Sequence, residues 1–195
     1  MPSEKYGIPA HLRSRQILGR GKRRAVLLVG HNRALKVEMN PTAHGKSPNE
    51  LEWANFQRYF QNAPASLRQH IAPISRRKIK DGHVMHQIRL VKDFNGSISR
   101  TIEATGKIAN AHFWKSFQRM VDELVRAHIP FYDFSSKNIL VKRVSPTNWI
   151  PVLVDYESMG PHSARWQFWL RSKYFSGLKV RRRAERLQKQ FSERA

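Results

Sequence analysis

The interpretation of this 195-residue chain depends on one stretch, Asp133-Phe134-Ser135-Ser136-Lys137-Asn138-Ile139-Leu140. In it an aspartate precedes an asparagine by five positions, and aliphatic residues begin an apolar segment directly after the asparagine. A second apolar segment, Pro151-Val152-Leu153-Val154, ends at Asp155-Tyr156-Glu157. Taken alone, either aspartate would be explained by turn chemistry or by a helix cap. Their joint meaning depends on what precedes them.

The residues before this stretch predict a small antiparallel sheet. Residues 17–39 indicate two strands that meet at a Gly30-His31-Asn32 turn. Further strands are predicted over 71–79 and 83–91. The first strand contains a Gly-x-Gly pair and the second contains a lysine, so two residue types with a known use in phosphate binding come early in the chain.

Helices are predicted between these strands and after them. One runs from Asn49, which can cap it, to about Gln61, and Glu50 and Glu52 lie in its first turn. Another runs over 108–128 with one apolar stripe. The tail predicts a third helix with a basic face.

A break at Asp93-Phe94-Asn95-Gly96 divides the chain into two predicted lobes. The N-lobe is expected over 17–92 and a short C-lobe, with the basic C-terminal helix, over 97–195. Together they form one predicted domain.

Composition excludes several classes of protein. There are 36 Lys and Arg against 14 Asp and Glu, which gives a net charge of +22, and there is no Cys. Disulfide scaffolds, thiolate zinc sites and cysteine nucleophiles are therefore excluded. The beginning of the chain lacks an apolar signal core, and the longest apolar run, Ala25–Val29, is too short to span a membrane. We expect a cytoplasmic protein, with peripheral attachment at the inner membrane as an extension of the charge argument.

In order and type, these features match the parts of a protein-kinase-like phosphotransferase. They are a Gly-x-Gly pair, a strand lysine, a helix with glutamate near its start, an Asp-to-Asn loop and an aspartate after an apolar strand. We therefore predict an α+β protein with a compact protein-kinase-like two-lobe fold. Its N-lobe is a small antiparallel sheet with one helix, and its C-lobe is mostly helical.

Phosphoryl transfer gives each catalytic residue a role, because the transferred group carries spread negative charge that must be positioned and neutralised. Lys36 is expected to bind the α- and β-phosphates of ATP. A carboxylate of the first helix, Glu50 or Glu52, is expected to hold that lysine. Asp133 is expected to accept the proton of the attacking hydroxyl.

The cofactors predicted are ATP and Mg²⁺. Asn138 and Asp155 supply the hard oxygen ligands that Mg²⁺ prefers. Lys137 resembles a basic residue of tyrosine kinases and is expected to reach the γ-phosphate. Gly19 and Gly21 allow backbone to approach phosphate without a side-chain clash. The residues predicted to line the adenine site are Val26, Ala34 and Leu140.

The sequence also resembles the YrbL family, bacterial proteins that are linked to the PhoP regulatory network and are kinase-like in sequence. The resemblance covers most of the chain and implies no settled activity. It favours Glu50 as the partner of Lys36, whereas helix phase leaves Glu52 open. The motifs that carry it are Leu18-Gly19-x-Gly21-x-x-Arg24, Leu35-Lys36-Val37, Glu50-Leu51, Asp93-Phe94-Asn95-Gly96, Ser136-Lys137-Asn138-Ile139-Leu140, Ile150-Pro151-Val152 with Asp155, and the Trp-rich basic tail.

Departures from the protein-kinase pattern narrow the kinds of phosphate acceptor that we expect. Phe131-Tyr132-Asp133 stands where kinases have His-Arg-Asp, Arg24 replaces the third loop glycine, and Asp155-Tyr156-Glu157 is similar to the metal motif of aminoglycoside- and sugar-type kinases. We expect a small molecule, a lipid-linked sugar or a single protein partner as acceptor.

Two alternatives stay open. One is a catalytically weak kinase-fold regulatory or binding protein, and the other is a basic nucleic-acid-binding protein. Basic clusters at Arg13–Arg24, Arg76–Lys80 and Lys179–Arg186 predict a polyanionic partner. An anionic lipid, a lipopolysaccharide precursor or an acidic protein is favoured over nucleic acid, because no nucleic-acid module is recognisable.

Overall fold

A computed structural model describes residues 7–39, 47–80, 82–159 and 172–193. These residues form two compact units, one extending to Arg58 and including Ala72–Leu90, the other made of Tyr59–Ile71 and the chain from Val91 onward. Residues 59–71, which the sequence placed in the N-lobe, therefore belong to the second unit. The reason is a set of bonds around His70, whose carbonyl accepts from the Leu153 amide at 2.9 Å.

The first unit contains a five-stranded antiparallel sheet in the order β1-β2-β3-β5-β4. The single strand predicted at its beginning is two strands, because the Gly21 amide donates to the Arg24 carbonyl at 2.8 Å and reverses the chain there. The strands are β1 (Ile17–Arg20), β2 (Arg24–Gly30), β3 (Arg33–Glu38), β4 (Ile74–Lys80) and β5 (His83–Arg89).

The two faces of this sheet differ in character because strand residues alternate between them. One face forms an apolar core, which a short 3-10 helix, Ala10–Leu12, helps to cover. The other face carries Lys36, with Val26 opposite it on β2 and His86 opposite it on β5. The core cluster consists of Ile8, Leu12, Ala25, Leu27, Val37, Met39 and Met85.

Helix α1 (Pro48–Tyr59) follows β3 and begins differently from the prediction. The Ser47 hydroxyl accepts from the Glu50 amide at 3.0 Å, so Ser47 caps the helix and Pro48 is its first residue. Asn49 is instead buried, and its amide donates to the Val84 carbonyl at 2.6 Å and to the Lys36 carbonyl at 3.3 Å. These bonds fix the beginning of α1 against β3 and β5.

The second unit combines a three-stranded antiparallel sheet with helices. Its long helix begins at Ala111 rather than 108, because the Asn110 side chain caps it by accepting from the Phe113 amide at 2.8 Å. The strands, in sheet order, are β6 (Arg100–Thr101), β7 (Ile139–Arg143) and β8 (Trp149–Leu153). The helices are α2 (Ala65–Arg68), α3 (Ile102–Thr105), α4 (Ala111–Arg126) and α5 (Lys173–Phe191).

Helix α4 forms the centre of this unit. Its apolar stripe, which includes Phe113, Phe117 and Met120, is buried as predicted. Helix α5 packs on α4, where Gly177 lies against Val125, and keeps many basic residues exposed. The Trp-rich part of the tail lies outside the described residues. Within the ranges that the structure covers, no helix combines the length and apolarity needed to cross a bilayer.

Candidate active site

In the first unit, Lys36 lies in a buried cluster of charges. Its ammonium is 2.5 Å from one carboxylate oxygen of Glu52, and an Arg24 guanidinium nitrogen is 2.7 Å from the other oxygen. Lys36 is 7% exposed and Glu52 is fully buried. His86 lies beside the pair, with Nδ1 3.8 Å from Glu52, which is too long for a hydrogen bond. One helix carboxylate therefore holds two cations of the sheet.

The electrostatics of this cluster strongly favour the ionised carboxylate. Burial alone would raise the pKa of Glu52, but the charges of Lys36 and Arg24, the hydrogen bond from Lys36 and the nearby His86 ring lower it to about 2. A buried carboxylate with so low a pKa is stable only while its cations stay in place. Lys36 is consequently held in one position on β3.

The choice of Glu50 as the lysine's partner was wrong. Glu50 pairs with Arg77 of β4 at 2.7 Å, and both side chains are substantially exposed. Residues two apart on an α-helix differ by about 200° in direction, so only one of Glu50 and Glu52 can face Lys36. The cap at Ser47 and the buried bonds of Asn49 turn Glu52 inward.

The two glycines of the predicted phosphate loop are not required by protein packing. A Cβ at Gly19 would have no heavy atom within 4 Å, and one at Gly21 would meet the Arg24 carbonyl at 3.7 Å, an ordinary contact. Neither glycine has a positive φ. Since neither crowding nor backbone conformation explains them, they are consistent with close approach of a ligand.

The residues predicted to line the adenine site are placed as follows. Val26 lies directly across from Lys36, and Ala34, two residues before it, shares its face of β3 and is fully buried. Leu140 belongs to β7 of the second unit and is partly buried.

In the second unit, strand pairing brings Asn138 and Asp155 to the same end of the β7–β8 hairpin. Ile139 is opposite Leu153, so the residues that flank this pair adjoin each other. The Val154 amide donates to the Asn138 carbonyl at 3.1 Å. Asp155 accepts from the Glu157 amide at 3.1 Å, and the buried Tyr156 ring packs 4.8 Å from that of Phe60. Asp155 therefore has a defined backbone position.

The loop that carries Asp133 contains two buried aromatic residues, Phe131 and Phe134. Phe131 and Phe134 contact each other edge-on at 5.1 Å, and Phe134 contacts Phe117 of α4 at 5.8 Å. Burial and the negative charge of Asp155 raise the pKa of Asp133, while Asn138 and Arg183 oppose the rise. The three predicted residues of this unit, Asp133, Asn138 and Asp155, are thus neighbours.

This arrangement fits a bound Mg²⁺. The negative charge of Asp155 contributes to the raised pKa of Asp133, so the two carboxylates create a negative potential that a divalent cation would relieve. No group of three His, Asp or Glu side chains suited to a metal occurs in the described part of the chain. Mg²⁺ commonly binds to one or two protein ligands and completes its shell with phosphate oxygens and water, so a pair of protein ligands suffices.

Lys137 points to a different partner in this structure. Its ammonium is 3.6 Å from Glu103 of α3, and both side chains are more than half exposed. Such an ion pair is weak, so its contact with a γ-phosphate stays a prediction.

Sequence reasoning missed Arg24 as the second cation on Glu52. Arg24 is two residues before Val26 on β2 and therefore on the face of Lys36, a signal that alternation along the strand could have provided. It also missed Lys179 and Arg183 of α5, which lie near Tyr132 and Asp133. No local pattern links these residues, because they are brought together by helix packing.

Comparisons with known proteins identify the family of this chain and support its protein-kinase-like fold. Residues 10–192 match the family described as PhoP regulatory network protein YrbL. No curated protein matches the sequence. Among solved structures, the fold resembles that of WbdD in its co-crystal structure with the kinase inhibitor LY294002, with a TM-score of 0.53 and 13% identity. That match covers 88% of this chain and 45% of the WbdD chain. Because 467 chains of solved structures match, the protein-kinase-like fold by itself does not identify the activity of this chain.

Proposed function

The chain belongs to the YrbL family of PhoP regulatory network proteins, and from this premise we propose that it is an ATP- and Mg²⁺-dependent phosphotransferase. The observation that carries the proposal is the buried ion pair of Lys36 on β3 with Glu52 on α1. A strand lysine held by a helix glutamate is the arrangement that protein kinases use to position the phosphates of ATP. Burial of this pair costs desolvation free energy, so a role in binding anionic phosphates gives a reason for keeping it.

Each residue has a defined part in the proposed reaction. The hydroxyl oxygen of the acceptor forms a bond to the γ-phosphorus, and the bond from that phosphorus to the bridging oxygen of ADP breaks. Asp133 takes the hydroxyl proton, and ADP leaves with the electron pair of the broken bond. Lys36 orients the phosphates, while Asn138 and Asp155 would hold Mg²⁺, whose charge neutralises the phosphate oxygens.

The environment of Asp133 suits a general base. A base is most effective when its pKa approaches the working pH, and both burial and Asp155 move the pKa of Asp133 upward. The buried Phe131 and Phe134, which contact each other, hold the loop that carries this residue.

A kinase-fold binding protein without turnover is the second candidate. The observation that favours it is the exposed ion pair of Lys137 with Glu103, which would have to open before Lys137 could reach a γ-phosphate. In that case ATP would bind and stabilise the chain but would not be consumed.

We also propose a polyanionic partner for this protein and a peripheral location at the inner membrane. The strand β4 exposes Arg76, Arg77, Lys78 and Lys80, which supports docking of a polyanion there. Such a basic strand is also what peripheral attachment of a cytoplasmic protein to the anionic inner membrane would require.

Thermal unfolding with ATP and Mg²⁺ tests nucleotide binding. ATP at about 100 times its Kd adds about 2.7 kcal/mol, which corresponds to a midpoint shift of about 5–10 °C for a chain of this size. Asp155→Asn should lose most of the shift. Asp122→Asn, which changes an exposed aspartate paired with Arg181, is the matched control and should keep it. No shift in the wild-type chain would refute the proposal.

Production of ADP separates the two candidate functions. A phosphotransferase should release ADP slowly even with water as acceptor, and Asp133→Asn should abolish this release while keeping the ATP-induced shift. ADP release that is the same in Asp133→Asn and in wild type would remove Asp133 from the mechanism. Binding without any ADP release would favour the binding protein.

A further inference from the structure

We propose that the acceptor carries a phosphate group, and that Lys179 and Arg183 of α5 bind this group beside Asp133. The inference rests on the proposed phosphotransferase and names the class of its second substrate. In the reaction written above, the acceptor's hydroxyl would lie at Asp133 and its existing phosphate at the two α5 cations.

The surface of α5 has distinct sides. Gly177, Val180 and Ala184 are buried. Arg181 turns to α4 and pairs with Asp122 at 2.6 Å. Lys179 and Arg183 are one turn apart and share a side, so they form a second, separate pair of charges.

That side of α5 is docked on the loop that carries the proposed base. The Ser176 hydroxyl is 2.8 Å from the Tyr132 hydroxyl, and the Lys179 ammonium lies 4.5 Å from the centre of the Tyr132 ring. Tyr132 immediately precedes Asp133 in the chain. Arg183 is near enough to Asp133 for its charge to lower the pKa of that carboxyl.

Neither Lys179 nor Arg183 forms an ion pair with a described acidic side chain, although the charge of Arg183 acts on Asp133. None of the ion pairs found among the described residues involves Lys179 or Arg183. Like charges one turn apart on a helix repel each other. Partial burial and the neighbouring Arg183 accordingly lower the pKa of Lys179. Two cations that lie beside a base and form no ion pair among the described residues are suited to a dianionic ligand.

Phosphate is the group that matches this pair of charges. A phosphate monoester carries close to two negative charges near neutral pH and three acceptor oxygens, whereas a carboxylate carries one charge. Arginine binds phosphate through two parallel N–H bonds, and lysine adds a point charge. Protein kinases place an arginine directly before the catalytic aspartate. Here Tyr132 occupies that position, and α5 supplies the cations instead.

Site-resolved acetylation of lysines tests the inference on the full chain. Inorganic phosphate is the probe, with chloride at the same ionic strength as reference and mass spectrometry of peptides as readout. At about 20 mM phosphate and a Kd near 10 mM, labelling of Lys179 should fall about threefold. Lys173 and Lys189, exposed on the same helix, should be labelled equally in phosphate and chloride.

Two variants complete the test. Arg183→Gln should abolish protection of Lys179, whereas Arg182→Gln, which removes an exposed charge from the adjacent position, should preserve it. Equal protection of Lys189 would show only diffuse attraction of anions and would overturn the inference. Equal protection by acetate would overturn the assignment to phosphate.

The outcome is distinguishable from failure of the proposed function. If ATP and Mg²⁺ raise the unfolding midpoint but phosphate does not protect Lys179, the phosphate-bearing acceptor is refuted and the phosphotransferase stands. If phosphate protects Lys179 but ATP produces no shift, the anion site stands and the phosphotransferase fails. Protection of Lys179 by ATP but not by phosphate would assign the cations to the nucleotide and refute the inference.

Discussion

Replacement of Glu52 by Gln should strongly destabilise the first unit, because the Glu52 side chain is fully buried. The side chain keeps its shape, but Lys36 and Arg24 lose the carboxylate that both of them contact. The folded-state pKa of about 2, against an ordinary value of 4.5, corresponds to about 3 kcal/mol of unfolding free energy. Loss of one partner from a buried ion pair typically costs about 3–5 kcal/mol, which agrees with this figure.

The lowered pKa of Glu52 also determines how this loss of unfolding free energy depends on pH. Because the folded-state pKa of Glu52 is lowered, the unfolded chain binds the proton more readily between pH 4.5 and about 2. The stabilisation is therefore complete above pH 4.5 and disappears as the pH falls toward 2. The difference in unfolding free energy between wild type and Glu52→Gln should shrink to near zero over that interval.

Urea unfolding of both proteins from pH 7 to pH 2.5 measures this difference. The matched control is Glu50→Gln, which removes the exposed pair with Arg77 and should cost at most about 1 kcal/mol. Equal unfolding free energies for Glu50→Gln and Glu52→Gln at pH 7 would refute the buried cluster. A difference that does not vary with pH would refute its electrostatic origin.

Three further predictions concern the second unit. Asp133→Asn should raise the urea midpoint at pH 7, because the raised pKa of Asp133 means that its ionised form costs folding free energy as the pH rises through that pKa; an unchanged or lower midpoint contradicts this. A Cβ on Gly177 would meet the Val125 side chain at 3.1 Å. Gly177→Ala should therefore stabilise the chain by about 1 kcal/mol in a Val125→Ala background and by clearly less in wild type. Additive effects of the two substitutions on the unfolding free energy would rule out this contact. Asn110→Ala should cost about 1 kcal/mol through loss of the α4 cap, and Asn110→Asp should restore most of it.

Features that depend on local pattern could be predicted from the sequence. The strand around Lys36 and the apolar stripe of α4 follow from periods of two and 3.6 residues, and the loop from Asp133 to Asn138 was identified by its spacing. The family and the protein-kinase-like fold suggested by these motifs are confirmed.

Features that depend on distant contacts could not be predicted. The choice between Glu50 and Glu52 requires the rotation of α1, which is set by Ser47 and by the carbonyls that Asn49 reaches on β3 and β5. Residues 59–71 join the second unit through bonds to β8, more than eighty positions away in the case of His70 and Pro151. Arg24 could have been found by alternation, but its acidic partner is 28 positions away.

The most direct test of the central claim compares the affinity for ATP with and without Mg²⁺ by isothermal titration. If Asp155 and Asn138 hold Mg²⁺ on the nucleotide, Mg²⁺ should strengthen ATP binding to the wild-type chain at least about tenfold. In Asp155→Asn the same addition of Mg²⁺ should change the Kd little. An equal effect of Mg²⁺ on the two proteins, or none on the wild type, would contradict the account.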